Sequence, residues 1–279
     1  MEAVLRQARE VASGRARPAL PAGTALRVGV DLGTAYTVLF VLDDDGVPVA
    51  GGYRWAEVVR DGVVLDFGGA VALVTALRAA AEEVLGVELD HAAVTVPPGV
   101  PATEVRAHRF VVEAAGLDCT AVVDEPTAAN AVLQVRDGAV VDVGGGTTGI
   151  AVLQDGRVVS TADEPTGGTH VSLVIAGSRR VPFEEAERLK QDPALQPELL
   201  PVVRPVFEKV ATIVADHLAQ TSVPVDRLWL VGGTAAFPGV ADIVQQVTGL
   251  PTVVPTDPLF VTPLGVAHHD VAHTPGRGG

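Results

Sequence analysis

Two aspartates are distinguished by the residues that come directly after them. Asp31 ends the apolar run Arg27-Val-Gly-Val-Asp31 and opens Leu-Gly-Thr34, while Asp142 ends Gly138-Ala-Val-Val-Asp142 and opens Val-Gly-Gly-Gly-Thr-Thr148. A carboxylate at a strand end followed by glycine leaves backbone N–H groups free to approach an anion, because no Cβ stands in the way. Alone, the first tetrapeptide reads more readily as an ordinary glycine turn with a solvated aspartate. The second is more demanding, since three successive glycines between β-rich strands cost roughly 0.5–1 kcal/mol each in lost rigidity. Close packing of backbone on phosphate, with the Thr147 and Thr148 hydroxyls donating, would justify that cost. Neither turn is a Walker loop, because no Gly-Lys-Ser/Thr follows, and neither is a dinucleotide fingerprint, because a strand rather than a helix comes next. A polyphosphate gripped by two such hairpins carries several negative charges. Two carboxylates aimed at it therefore call for Mg²⁺, held mostly through water, with Asp31 and Asp142 as the magnesium candidates.

The elements that must position these turns repeat along the chain. The first turn lies between an expected strand at 26–30 and a second apolar run ending at Leu42; Asp43-Asp-Asp-Gly46 and a third strand from 47 come next. The second turn has the same frame, closed by Gln154-Asp-Gly156 and a strand at 157–160. Such recurrence predicts two related half-domains facing each other. Helices are expected at 68–85, 103–115, 126–133, 167–176, 182–190, 202–220 and 239–248, with further strands at 91–96, 120–123 and 228–231. This order predicts an α/β fold with helices on both faces of mixed sheets. The expected organisation is an N-terminal helix and linker at 1–25, half-domains at 26–135 and 136–270, and a flexible tail at 271–279.

Composition narrows the class. The 279 residues are 48% hydrophobic but only 4% aromatic, so the cores must be aliphatic. With 34 acidic against 20 basic side chains and a formal net charge of −14, the chain would repel a nucleic-acid backbone. The basic stretch from Arg6 to Arg17 reads as a charged helix running into a linker. Cys119 is the single cysteine, which excludes an intramolecular disulfide and a cysteine-based zinc site and fits a reducing cytosol. Charges throughout the first 25 residues argue against a secretory signal, and every apolar run is broken well short of the roughly 20 residues that span a bilayer. His268, His269 and His273 lie near a Pro/Gly tail and are expected to be exposed and mobile; His91, His108, His170 and His217 show no ligand spacing, so no zinc site is expected.

Taken together, these motifs resemble the actin, sugar-kinase and heat-shock chaperone ATPase superfamily over most of the chain from Leu26 to His269. Asp31-Leu-Gly-Thr34 resembles its first phosphate loop, Asp142-Val-Gly-Gly-Gly-Thr147 its second, and Leu230-Val-Gly-Gly-Thr234 with Pro238 its adenosine loop. Ala93-Val-Thr-Val-Pro97 and Asp124-Glu-Pro-Thr-Ala-Ala129 are similar to the first connecting region of the chaperone branch. Ala186-Glu-Arg-Leu-Lys190 is similar to the ribose- and adenine-contacting helix of bacterial actin relatives. Trp55-Ala-Glu-Val-Val-Arg-Asp-Gly62, Ala162-Asp-Glu-Pro-Thr-Gly-Gly-Thr-His170 and Phe183-Glu-Glu-Ala-Glu187 resemble a chaperone-like branch associated with ethanolamine-degrading microcompartments.

The resemblance implies an actin-like ATPase fold with a nucleotide cleft between its half-domains, ATP or ADP and Mg²⁺ as ligands, and a cytoplasmic protein. The implied nucleotide contacts are Gly33, Thr34 and Ala35; Gly144, Gly145, Gly146 and Thr147; Gly167 and Gly168; Glu187 and Lys190; and Gly232, Gly233 and Thr234. Asp31, Asp142 and Glu125 are the implied catalytic residues. Glu125 is the best residue to polarise a water, although capping the helix entered by Pro126 is an equally good role for it. Departures temper the catalytic expectation. The chaperones orient the attacking water with a lysine in the first half, yet the lysines here are Lys190 and Lys209. Gly149 stands where their second phosphate loop has a further aspartate, and Ala236 where their adenosine loop has an arginine. Hydrolysis is therefore expected to be slow or absent. No chaperone substrate-binding segment comes after Leu264-Gly-Val-Ala-His268, so a protein client or microcompartment enzyme would be gripped by the ATPase body. The expected function is a nucleotide-dependent switch; a filament or scaffold protein and a small-molecule kinase are the alternatives, and the oligomeric state stays open.

Overall fold

The computed structural model describes residues 1–60 and 62–274. The chain divides into two units, residues 1–134 with 260–279, and residues 135–259. In the first unit, α1 (Glu2–Ala12) precedes the meander β1 (Arg27–Leu32), β2 (Tyr36–Leu42) and β3 (Pro48–Trp55) and the short hairpin β4 (Val59–Arg60) and β5 (Val63–Val64). Then come α2 (Phe67–Leu85), β6 (His91–Val96), α3 (Ala102–Ala114), β7 (Asp118–Asp124) and α4 (Glu125–Leu133). The sheet order is β3-β2-β1-β6-β7, with β1 antiparallel to β2 and parallel to β6.

The second unit repeats that plan. A meander of β8 (Gly138–Val143), β9 (Thr148–Gln154) and β10 (Arg157–Glu164) is followed by α5 (Gly168–Arg179), α6 (Phe183–Gln191) and α7 (Gln196–Gln220). β11 (Leu228–Val231), α8 (Val240–Thr248) and β12 (Thr252–Val253) complete the sheet β10-β9-β8-β11-β12, in which β11 is parallel to β8. The last helix, α9 (Val261–Ala267), belongs to the first unit.

Each core is aliphatic, as composition requires. β1 and β8 are covered on both faces, which is why their sequences are continuous apolar runs rather than alternating ones. Val28, Val30, Leu39, Val41, Val74, Leu77, Val94 and Val111 are buried in the first core; Val141, Ile150, Val152, Ile175, Val203, Phe207 and Leu230 fill the second. At about 1.5–3 kcal/mol for each large apolar side chain, these clusters dominate the favourable side of folding. Asp66 caps α2 by accepting from the Gly69 N–H, and Gly86 ends it in the left-handed conformation.

Four expectations change. The N-terminal segment is no mere charged lead-in, because Leu5, Ala8 and Val11 of α1 are buried and the helix packs against β3. α7 begins before Pro201, although prolines read as breakers: Pro201 and Pro205 are exposed while Leu199, Val203, Val206 and Phe207 are buried. Burial on that inner face outweighs the roughly 3 kcal/mol that an interior proline costs. Residues 260 onward leave the second half-domain for the first, since α9 packs on α4, β1 and β2. The approach is so close that a Cβ on Gly265 would collide with the backbone of Ala128.

Of the C-terminal histidines, His269 and His273 are exposed as expected, but His268 is not, and the His273 backbone is anchored. His273 bridges to Leu26, accepting from its N–H at 2.7 Å and donating to its carbonyl at 3.0 Å, and His268 lies partly buried over Gly46. The rest of the expected flexible tail, residues 275–279, lies outside the described residues.

Candidate functional site

In the first unit, parallel pairing brings the carboxyl ends of three strands together. Val30 is paired with Val94 and Val96 with Asp124, so Asp31, Thr95 and the β7–α4 junction share one edge of the sheet. That edge is where open α/β sheets place ligands. The Thr95 hydroxyl donates to Asp31 Oδ1 at 2.5 Å, fixing the carboxylate at the strand end. Beyond it, the Gly33 N–H donates to the Tyr36 carbonyl at 3.0 Å, closing the turn that carries Thr34 and Ala35.

Glu125 is half-buried in the first turn of α4 and does not cap it. Asp124 does so instead, accepting from the Thr127 N–H at 2.9 Å and its hydroxyl at 2.8 Å. The capping role offered for Glu125 is thereby filled by its neighbour.

In the second unit, Asp142 is paired with Val231 across the parallel strands β8 and β11. Its turn is stitched to two other loops. The Gly144 carbonyl accepts from the Gly168 N–H at 2.9 Å and the Thr234 hydroxyl at 2.8 Å, and the Gly145 carbonyl accepts from the Thr169 N–H at 2.7 Å. Glycine is required here by close approach: a Cβ on Gly167 would lie 2.8 Å from the Gly144 carbonyl oxygen and 2.9 Å from that of Gly145. Gly144 itself lies outside the left-handed region. Gly232 is different, with φ of 86° and a Cβ direction that runs straight into the Asp142 carboxylate. Only glycine meets both conditions without strain. The next residues, Gly233 to Ala236, form a 3₁₀ turn that carries Thr234.

One expected phosphate donor is otherwise engaged. Thr148 is fully buried and its hydroxyl donates to the Thr166 carbonyl at 2.6 Å, which ties β9 to the segment before α5. A buried hydroxyl without that acceptor would be costly, so structure claims it before a ligand can. Thr147 is part-exposed.

Glu187 and Lys190 meet on α6 beside the same loops. Lys190 Nζ lies 2.7 Å from Glu187 Oε2 and donates to the Gly168 carbonyl at 3.2 Å. Glu187 also accepts from the Ser172 hydroxyl at 2.5 Å and the Gln191 amide at 3.0 Å. Burial works against the Glu187 carboxylate, but the Lys190 charge and the hydrogen bonds from Lys190, Ser172 and Gln191 outweigh it and hold its pKa below the ordinary value. Burial also draws the Lys190 ammonium below its usual range, and Glu187 opposes that fall. Gly144, Gly168, Thr234, Glu187 and Lys190 thus form one connected cluster, every member of which belongs to a motif singled out in the sequence.

Sequence reasoning missed the side chains that hold these groups. Thr95 on Asp31 and Ser172 on Glu187 were not singled out, although Thr95 interrupts the apolar run of β6 and its register beside Asp31 follows from parallel pairing.

Two half-sheets of identical order, each with a glycine turn after an aspartate, define an actin-like ATPase fold. Its relatives bear this out. Residues 139–268 match the model of the cell division protein FtsA, and residues 54–184 that of the MreB/Mbl protein. The structure of MreB 5 of Spiroplasma citri bound to AMPPNP superposes with a TM-score of 0.69 at 17% identity, covering 86% of this chain and 94% of that one. The likeness is far stronger to the ethanolamine utilization protein EutJ of Salmonella typhimurium, 46% identical over 254 residues that cover 91% of this chain and 88% of the relative. The crystal structure of EutJ from Carboxydothermus hydrogenoformans shares 47% identity and a TM-score of 0.90, covering 95% of this chain and 97% of that one. The chain belongs to the EutJ family of ethanolamine utilization proteins.

Proposed function

We propose that this protein is a nucleotide-dependent, chaperone-like switch in ethanolamine utilisation, taking ATP or ADP with Mg²⁺ and presenting a surface to a protein client or microcompartment enzyme. The observation that carries the reading is the second unit's cluster, in which Gly144, Gly168 and Thr234 hold three loops together beside the Glu187–Lys190 pair. The backbone N–H groups of Gly145, Gly146 and Thr147 suit phosphates, and Lys190 suits the ribose end of a nucleotide. Asp142 and, in the first unit, Asp31 supply carboxylates for hydrated Mg²⁺. Glu125, in the first turn of the helix that Asp124 caps, is the group to polarise a water. With the chain's lysines confined to Lys190 and Lys209, hydrolysis is slow and release of nucleotide sets the switch.

Calorimetry tests this directly. Asp142→Ala should weaken Mg²⁺-dependent ATP binding at least tenfold with the circular dichroism spectrum unchanged, and Lys190→Ala should weaken ATP and ADP alike. Undiminished binding by the first variant, or loss of ATP alone in the second, sinks the assignment. The matches to FtsA and MreB favour a second reading, an actin-like scaffold whose nucleotide governs self-association. Sedimentation of the protein with ATP would support that reading over the switch.

A further inference from the structure

Away from the glycine turns, the first unit gathers a different set of groups. His91, the first residue of β6, is nearly buried, and its Nδ1 lies 2.6 Å from Oδ2 of Asp270. Asp270 is itself buried and fixed from two further directions. Its Oδ2 accepts from the Val28 N–H at 2.7 Å, and its Oδ1 accepts from the Thr120 hydroxyl at 2.5 Å. The carboxylate therefore holds the Nδ1 proton and leaves Nε2 of His91 as the ring's outward lone pair. Towards that atom comes Asp90, with Oδ1 at 3.5 Å, while Oδ2 of the same carboxylate lies 3.3 Å from Nε2 of His273. The two rings stand edge to face, 5.2 Å apart, and the ligand atoms of Asp90, His91 and His273 all lie within 4.8 Å of one another.

We propose that Asp90, His91 and His273 bind one zinc ion, with Asp270 as the carboxylate that orients His91. Zn–N and Zn–O bonds of about 2.0–2.1 Å set tetrahedral ligand atoms about 3.3 Å apart. Here one atom from each residue lies within 4.8 Å of the others, and each ring nitrogen lies 3.5 or 3.3 Å from one of the two Asp90 oxygens, so a small closure of the side chains brings all three onto one ion. A carboxylate on the far nitrogen of a ligating histidine is the usual outer-shell device of zinc sites, raising the basicity of the ring and fixing its direction. Two imidazoles and one carboxylate suit zinc rather than magnesium or calcium, which take oxygen donors. The fourth position is left to water. Because the His273 backbone already pairs with Leu26 at the start of β1, the ion would lock the C-terminal segment onto the sheet of the first unit. The separation of His91 from His273 in sequence conceals the site from any reading of ligand spacing.

The full chain, treated with chelator and free of nucleotide, is titrated with zinc chloride in a calorimeter, and with Co²⁺ while the visible spectrum is recorded. One equivalent of zinc should bind, millimolar Mg²⁺ should not displace it, and Co²⁺ should give the intense bands of a tetrahedral site. His273→Ala, at a surface position, should weaken zinc at least 100-fold with the circular dichroism spectrum retained, whereas His269→Ala should leave it unchanged. Asp270→Asn should weaken it 10- to 100-fold. No zinc binding by the native chain, or equal affinity in the His273 variant, would show that these groups form ion pairs only and overturn the proposal.

Discussion

At the turn after β1, the Thr95 hydroxyl donates to Asp31, the Gly33 N–H donates to the Tyr36 carbonyl as the Gly144 N–H does to the Thr147 carbonyl in the second turn, and the Ala35 carbonyl accepts from the Ala56 N–H at 3.1 Å. At the turn after β8, the Gly144 and Gly145 carbonyls are taken by donors from two other loops, and Gly232 leaves the space that the Asp142 carboxylate occupies. Both turns rest on the same strand order. The first is therefore tied to β6 and to the chain just after β3, while the second is a junction whose geometry depends on α5 and β11 being in place. Duplication of a sheet does not duplicate the means by which its functional edge is fixed.

The sharpest way to break this contrast is glycine replacement. Gly232→Ala forces a side chain into left-handed backbone and against the Asp142 carboxylate and the Val143 carbonyl, and should cost the second unit about 3 kcal/mol in urea denaturation. Gly33→Ala places its Cβ 2.9 Å from the Tyr36 carbonyl oxygen and should cost about 1–2 kcal/mol, confined to the first unit. Gly144→Ala, with its nearest neighbour at an ordinary 3.5 Å, should be milder than either. Equal effects at the three positions would abolish the distinction.

Hydroxyl deletion sharpens it. Thr234→Val removes a donor from the Gly144 carbonyl and Thr95→Val removes one from Asp31, each at about 1–2 kcal/mol of stability. Nucleotide titration separates them: the Thr234 variant should lose affinity for ATP and ADP together because the junction loosens, whereas the Thr95 variant should lose chiefly the Mg²⁺-dependent part.

The smallest effect concerns acid. Glu187 has a folded pKa below its ordinary 4.5, so its contribution to stability is complete above that value and disappears as pH falls through the lower folded one. Melting temperatures measured downward from pH 5 should therefore drop less steeply in Glu187→Gln than in the native chain. Parallel slopes would mean that the pair on α6 does not support the junction.

The sequence alone carried the repeated strand–turn–strand frame, the aliphatic cores, the two aspartates and the glycine-rich segments, because each is written in local periodicity and turn chemistry. Glu187 and Lys190 were legible only through the resemblance of Ala186-Glu-Arg-Leu-Lys190 to the nucleotide-contacting helix of bacterial actin relatives. What it could not carry was every arrangement made across long separations. Thr95 reaches Asp31 only because β6 lies parallel to β1, Asp124 rather than Glu125 takes the helix cap, and the Thr148 hydroxyl is spent on Thr166. α9 returns to the first unit, and Asp270 there holds a histidine that precedes it by most of the chain. Such pairings are decided by strand register and burial, which a linear pattern constrains only after the chain has folded on itself.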